Sequence, residues 1–517
     1  MTADVSKRYD EVPYESNPFH HSHPRWLATV ATLFGMKVPA PDNARILEIG
    51  CASGGNLAPM AASLANSVCL GIDLSQRQIS EGQRFIEAAG LTNIELRQAS
   101  VLDVDASYGT FDYIVCHGVF SWVQRDVQQK ILEVCGKHLS PGGVAYISYN
   151  TYPGWHMKGM LRDMMKFHAG RFKTPERQIA QSRALLNVLA KTVPSEDNPY
   201  GMLLKHESEK LRRCSDWYIY HEQLELDNDP VYFHEFVQRA HDAGLQFLAE
   251  SELRTMLTDQ LSPEIQAALR EVGTSLVYSE QYMDFFRNRT FRQSLLCSRD
   301  VALNRNLNAD SFRPFYFASA LEPKEPIVDL QRCSPMVFER QGWPTVTASG
   351  PMSLAALLCL REAWPEHLPA AELEQHVRAR LGLSSATPET TRDFVDLLGS
   401  WYTKGIVRMS LGAPPCTSKV ASRPVAARVA RTQAKMGKLT VANLLHQNVT
   451  LNAFDAHLLT LLDGSRDRAG IVAGATAYLR AQGEAAAQLV NDPDAVASKV
   501  QAALESLAAA GLLSAEA

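Results

Sequence analysis

No stretch of this chain approaches the run of about 18 apolar residues that a membrane-spanning helix requires. Its opening residues, MTADVSKRYDEVPYE, contain no apolar core for a secretory signal. The expectation is a protein that neither spans a bilayer nor carries an export signal. No Cys-x-x-Cys pair occurs among the nine cysteines (51, 69, 116, 135, 214, 297, 333, 359 and 416). That argues against the usual zinc and disulfide frameworks and fits a reducing cytosol. His20, His21 and His23 have no cysteine or carboxylate partners at ligand spacing, so no metal is read there. Charge of one sign is not in excess: 51 basic against 56 acidic residues give a net −5. Nucleic acid and anionic membrane are therefore disfavoured as partners. Neither the G-x-G-x-x-G of dinucleotide enzymes nor the Gly-Lys-Ser/Thr of a P-loop follows the first strand.

What is present is an ordinary globular composition, 46% hydrophobic and 21% charged, over 517 residues. That length suits about three domains. From Arg45 to Asn150, β-rich runs alternate with helical stretches, the pattern of a parallel sheet covered on both faces. Strands are expected at Arg45–Ile49, Val68–Asp73, Ile94–Gln98, Tyr113–His117 and Val144–Asn150. Helices are expected at Ser75–Ala89, stopped by Gly90, and at Gln124–Leu139, before the turn Ser140-Pro141-Gly142-Gly143. Past Trp155 the alternation gives way to a helical insertion reaching about Asp229, broken at Pro194–Pro199. The rhythm resumes with a helix over Phe233–Ala243 and strands at Leu245–Leu248 and Thr290–Cys297, completing seven.

The densest chemical signal is Ile46-Leu47-Glu48-Ile49-Gly50-Cys51-Ala52-Ser53-Gly54-Gly55-Asn56, a buried strand entering a glycine-rich turn and then a helix. Glycines let backbone approach a ligand at the carboxyl end of the first strand, where the strand order reverses. The free amides there can meet a carboxylate. Asp73 ends the second strand 23 positions after Gly50, close to the spacing of about 20 for a ribose-binding carboxylate. Its two oxygens can accept from both ribose hydroxyls. Ala99-Ser100-Val101-Leu102 ends the third strand and borders an adenine edge. Phe111 to Gly118 forms the fourth strand and an exit loop over the ligand. Cys51 reads more readily as a small buried side chain than as a nucleophile.

These pieces, in this order and spacing, resemble class I S-adenosylmethionine-dependent methyltransferases. The resemblance implies a seven-stranded doubly wound (Rossmann-like) α/β core and S-adenosylmethionine as cofactor. The candidate cofactor contacts are Glu48, Gly50, Cys51, Ala52, Gly54, Gly55, Asp73, Leu74, Ser100, Val101, His117 and Gly118. Tyr9 to Tyr14, Ser22-His23-Pro24, His117 to Trp122, Tyr149 to Trp155 and Phe233 to Phe236 narrow it to methyltransferases carrying a regulatory domain. That family includes rickettsial lysine methyltransferases of outer-membrane proteins, which implies methylation of protein lysines. Tyr14, His117, Asn150, Tyr152 and Trp155 lie on the N-terminal arm or at the carboxyl ends of strands four and five, and are the acceptor-site candidates. Aromatic faces among them suit methylammonium groups.

The expected organisation is a core over 1–302, with the insertion (about 155–229) acting as a lid or homodimer surface. A winged-helix-like domain follows over 303–411, with helices Ser353–Ala363, Ala370–Leu381 and Pro388–Thr403. Residues 412–440, with six basic and no acidic residues, read as a linker or wing, and 441–517 as a small helical domain. The region after Asn304 is expected to be a substrate-docking arm without which the sheet still closes. Two rival readings keep the same core: a methyltransferase for small-molecule acceptors, and a cofactor-sensing winged-helix DNA regulator. The second needs a basic recognition helix, and Ala370–Leu381 mixes both charges.

Overall fold

The fold is taken from a computed structural model over residues 16–259, 261–326, 330, 335–384, 386–482 and 491–515. Seven strands form one sheet: β1 (Arg45–Ile49), β2 (Val68–Asp73), β3 (Ile94–Gln98), β4 (Phe111–Cys116), β5 (Leu139–Asn150), β6 (Leu245–Glu250) and β7 (Phe291–Ser298). Their order is β3-β2-β1-β4-β5-β7-β6. The first five run parallel, while β7 is antiparallel to both β5 and β6. From β1 the chain winds outward through β2 and β3, then returns to β4 on the other side. Loops leaving the carboxyl ends of β1 and β4 therefore part, and a crevice opens between them.

Local chemistry sets the element ends. The Ser75 hydroxyl accepts from the Gln78 amide at 3.1 Å and starts helix Gln76–Ala89, which Gly90 ends at φ +62°. The residues expected as a turn before the fifth strand begin that strand instead. Gly142 adopts φ +77°, and the register against β4 shifts between Phe111 and Tyr113, so the Pro-Gly-Gly stretch is absorbed as an irregularity. A buried ion cluster pins the last two strands. Arg292, fully buried on β7, bonds Glu250 at 2.9 Å, Glu280 at 3.1 Å and Asp284 at 2.8 Å, with its guanidinium 3.8 Å over Phe233.

The insertion comprises helices Gly154–Ala169, Pro175–Thr192 and Pro199–Leu211, packed around their own core of Leu161, Met165, Leu186, Leu204 and Tyr220. It ends in a short helix, Asp216–Tyr218, that widens into a π-turn over Ile219–Gln223.

The region after Asn304 is not a detached arm. Its helices Pro351–Ala363, Ala370–Leu381 and Pro388–Thr403 follow the expected spans, and the Thr387 hydroxyl caps the third. Their apolar faces, however, join one interior: Phe315, Phe317, Leu357 and Leu398 belong to the same core as Leu27, Ile46, Tyr113 and Leu295. Helix Pro24–Leu33, which lies on β5 and β6, also contacts the later strand Arg408–Ser410, so the two regions share one interior. Residues 412–440 are likewise more than a linker. They contain helix Arg428–Lys435, which lies against Gln76–Ala89, where Arg428 donates to the Gly90 carbonyl at 3.0 Å. Strands Thr440–Ala442 and Asn448–Thr450 pair, and helices Ala453–Leu461, Arg468–Ala481 and Pro493–Ala509 complete a module with its own core.

Candidate active site

A cavity of about 420 Å³ opens at the carboxyl ends of the central strands. Its floor is the turn after β1. Gly50 takes φ +74°, and a Cβ there would stand 2.3 Å from Val119 Cγ2, so the turn needs glycine. Ala52 is also left-handed, at φ +50°. Its amide, at 2.8 Å, and that of Ser75, at 2.9 Å, donate to the two oxygens of Asp73. That carboxylate is thus oriented before any ligand arrives, with further lone pairs able to accept.

Glu48 on β1 is buried, and its Oε1 accepts from Asn56 Nδ2 at 2.6 Å. Burial raises its pKa against the pull of the Asn56 amide, and nearby Asp73 adds to the rise, leaving it at about 8. The opposite wall carries His117, stacked on Phe19 at 3.9 Å with Nδ1 3.0 Å from the Tyr146 hydroxyl. Burial lowers its pKa to about 4, with a smaller push from His21. It is neutral at pH 7. Burial, with Asp73 and Glu48 nearby, holds the Cys51 thiol well above its usual range, which removes it as a nucleophile.

Glu48, Gly50, Cys51, Ala52, Asp73, Leu74, Ser100, Val101, His117 and Gly118 all line the cavity. Gly54 and Gly55 stand behind the lining. The Gly54 amide closes on the Cys51 carbonyl at 2.8 Å, and a Cβ on Gly55 would meet the Ser16 carbonyl at 2.0 Å. They shape the turn and admit the N-terminal arm. Of the acceptor candidates, His117, Asn150 and Trp155 line the cavity. Tyr152 is not among the lining residues: it stacks on His156 at 4.0 Å and lies beside Tyr232 at 5.2 Å. Thr151 bridges Val231, and the chain then turns into helix Gly154–Ala169, which takes Tyr152 off the strand's line. Tyr14 lies outside the described residues. His20, His21 and His23 are engaged in packing and capping, with His23 Nδ1 accepting from the Arg25 amide. Among the described residues no group of three or more His, Cys, Asp or Glu could hold a metal ion.

The insertion adds lining residues that strand-end reasoning does not find: Lys158, Trp217, Tyr218, His221 and Glu222. With Trp122 and Trp155 they make one end of the cavity aromatic. The available signal was the dense aromatic stretch Trp217-Tyr218-Ile219-Tyr220, where the chain forms a π-turn, a feature frequent at functional sites. Lys158 Nζ lies 4.7 Å over the Trp155 ring. Burial lowers its pKa, Lys210 adds to the effect, and Glu222 opposes it.

Three buried polar atoms of the lining, Glu48 Oε2, Gln78 Oε1 and Trp155 Nε1, have no hydrogen-bond partner among the described residues. Buried polar groups are normally paired. The set calls for a ligand that donates near Glu48 and Gln78 and accepts near Trp155. S-adenosylmethionine, with an ammonium, an adenine amine and a carboxylate, carries that complement.

Comparison with known proteins gives the same picture. Residues 46–143 match a family model described as methyltransferase domain, and residues 215–298 one described as predicted methyltransferase regulatory domain. Residues 422–512 match the PKMT C-terminal winged helix domain. The winged-helix description thus falls on the stretch read as a linker and small helical domain, not on 303–411. An uncharacterized protein of Rickettsia prowazekii (strain Madrid E), RP789, is 37% identical over 473 residues, covering 90% of this chain and 84% of that protein. A second from the same organism, RP028, is 44% identical over 240 residues, 46% of this chain and 96% of its own length. The solved structure of PKMT2 from Rickettsia typhi superposes with a TM-score of 0.87 at 30% identity, covering 97% of this chain and 100% of that one. The same protein in complex with AdoHcy superposes equally well.

Proposed function

The chain belongs to the S-adenosylmethionine-dependent methyltransferase family that joins a methyltransferase domain, a regulatory domain and a PKMT winged-helix domain, with Rickettsia typhi PKMT2 as a member, and on that premise we propose that it methylates lysine side chains of a protein. The observation that carries the lysine reading is the aromatic end of the cavity. There an alkylammonium of the chain itself, Lys158, already rests on the face of Trp155. Trp122, Trp217 and Tyr218 extend that wall, and aromatic faces attract ammonium and methylammonium groups.

When bound, S-adenosylmethionine supplies a sulfonium-linked methyl carbon for in-line displacement. Asp73, fixed by two backbone amides, would hold the ribose hydroxyls, Glu48 Oε2 would take the ammonium of the methionine part, and Ser100, Val101 and Gln78 would border the adenine. What remains for the protein is to orient the incoming amine and exclude water. A free lysine, with an ordinary pKa of about 10.4, arrives protonated and is not a nucleophile. Burial lowers the pKa of Lys158, and desolvation in the same cavity acts on a substrate amine in the same direction, which favours the neutral nucleophile over the ammonium. Neutral His117 and buried Asn150, whose Nδ2 donates to Asn228 Oδ1 at 3.0 Å, position the acceptor and do not serve as strong bases.

The test uses methyl-labelled S-adenosylmethionine and bacterial lysate protein, with and without prior acetylation of lysines. Label is expected in untreated protein and absent from acetylated protein. Equal incorporation into both, or label confined to small molecules, overturns the lysine reading.

A further inference from the structure

The C-terminal module reaches the cofactor site through one buried side chain. His446 lies in the turn between strands Thr440–Ala442 and Asn448–Thr450 and is 3% exposed. It adopts φ +57°, a left-handed conformation that a residue with a Cβ rarely takes. The turn is built to present it: Asn443 Oδ1 accepts from the amides of Leu445, at 3.0 Å, and Gln447, at 2.8 Å. His446 Nε2 is 2.8 Å from Asn56 Oδ1, across 390 positions of sequence.

The direction of each bond can be worked out. The Phe19 amide donates to Asn56 Oδ1 at 2.8 Å, which fixes that atom as the carbonyl oxygen. Asn56 Nδ2 must then be the atom that donates to Glu48 Oε1. His446 must in turn donate, so its proton sits on Nε2, and burial lowers its pKa to about 3, keeping it neutral. With Oε1 occupied, Glu48 has Oε2 left for the cavity.

We propose that His446 is a positioning residue of the cofactor site: it clamps Asn56, which sets the Glu48 carboxyl to receive the cofactor's ammonium, so the winged-helix module completes that site. This rests on the assignment of the cavity to the cofactor. A side chain that merely filled space would need neither a left-handed backbone nor a buried imidazole aimed at an amide oxygen. The arrangement also ties the outer module to cofactor affinity, because any shift of the turn loosens the Asn56 contact.

The test uses the full-length protein and AdoHcy, with affinity measured by calorimetry from pH 6 to 9. His446→Asn tolerates the left-handed backbone but is too short to reach Asn56, whereas His446→Gln can still donate. His446→Asn should weaken binding on the order of tenfold at pH 7, and His446→Gln by no more than about threefold. Without His446, Asn56 is held by the Phe19 amide and the Ser22 hydroxyl and pulls the Glu48 pKa down less. The midpoint of affinity against pH should therefore move upward in His446→Asn, a change that a purely packing role does not produce. Thermal unfolding verifies that both variants fold, and His446→Gln carries the comparison if His446→Asn does not. Wild-type affinity and an unmoved midpoint in His446→Asn overturn the positioning role. Failure of the wild-type protein itself to bind AdoHcy overturns the cavity assignment beneath it.

Discussion

Replacing Glu48 with Gln should stabilise the ligand-free protein while damaging its cofactor site. In the folded chain Glu48 titrates at about 8, and in the unfolded chain at about 4.3. A carboxyl whose folded pKa is raised contributes most below its unfolded pKa, and that contribution is lost as pH rises toward the folded value. At 1.36 kcal/mol per pKa unit, the loss is about 3.5 kcal/mol at pH 7 and only about 1 kcal/mol at pH 5. Glutamine matches the protonated acid in shape and does not titrate, so the mutant escapes this loss. Urea unfolding of the apo proteins should show Glu48→Gln gaining on wild type by about 2.5 kcal/mol between pH 5 and pH 7. In the same variant AdoHcy affinity should fall at least about tenfold, because glutamine cannot ionise, as Glu48 does against the cofactor's ammonium, to give a charge-assisted partner. A stability difference that stays constant between the two pH values, or unchanged AdoHcy affinity, refutes the assignment of a protonated, cofactor-facing carboxyl.

Asp73→Asn puts an amide donor against the Ala52 and Ser75 amides. It should weaken AdoHcy binding by about 1.5–3 kcal/mol, read by calorimetry; retained affinity places the ribose elsewhere. Trp217→Ala should lower turnover on protein acceptor about tenfold or more while changing AdoHcy affinity less than about threefold. Steady-state kinetics beside calorimetry separates the two effects, and parallel losses contradict an acceptor role. Arg292→Met leaves Glu280 buried without its cation and Glu250 and Asp284 with Arg289 alone, and should cost about 3–5 kcal/mol of stability. Thermal unfolding at wild-type temperature would show that the cluster is not what fixes β6 and β7.

The class I core was legible because its signals are local. Strand periodicity, the Gly50 turn and the Asp73 spacing all lie within a few dozen residues, and the sheet brings them together by a single rule of winding. Gly54 and Gly55 belong to that motif yet serve the turn and the Ser16 arm, a distinction that rests on atoms 39 positions away. Tyr152 follows strand alternation on paper, but the bridge from Thr151 to Val231 ends the alternation first. Lys158, Trp217 and Tyr218 reach the cavity through the packing of a helical insertion, which periodicity does not position. The shared interior of Phe317, Leu357 and Ile46 was hidden for a related reason: an amphipathic helix announces that it has a buried face without saying what lies against it. The winged-helix match over 422–512 was not legible because the basic stretch before Thr440 looks like solvated linker in composition, while in the fold Arg428 donates to a helix-ending carbonyl.

The most direct measurement of the central claim is amino-acid analysis of labelled acceptor. Protein that has taken up methyl groups from S-adenosylmethionine in the presence of the full-length enzyme would be purified, hydrolysed and separated against methylated standards. The account predicts label in Nε-methylated lysine, greatly reduced with Trp155→Ala enzyme. Label recovered in methylated arginine, in methyl esters or only in non-protein fractions would contradict it.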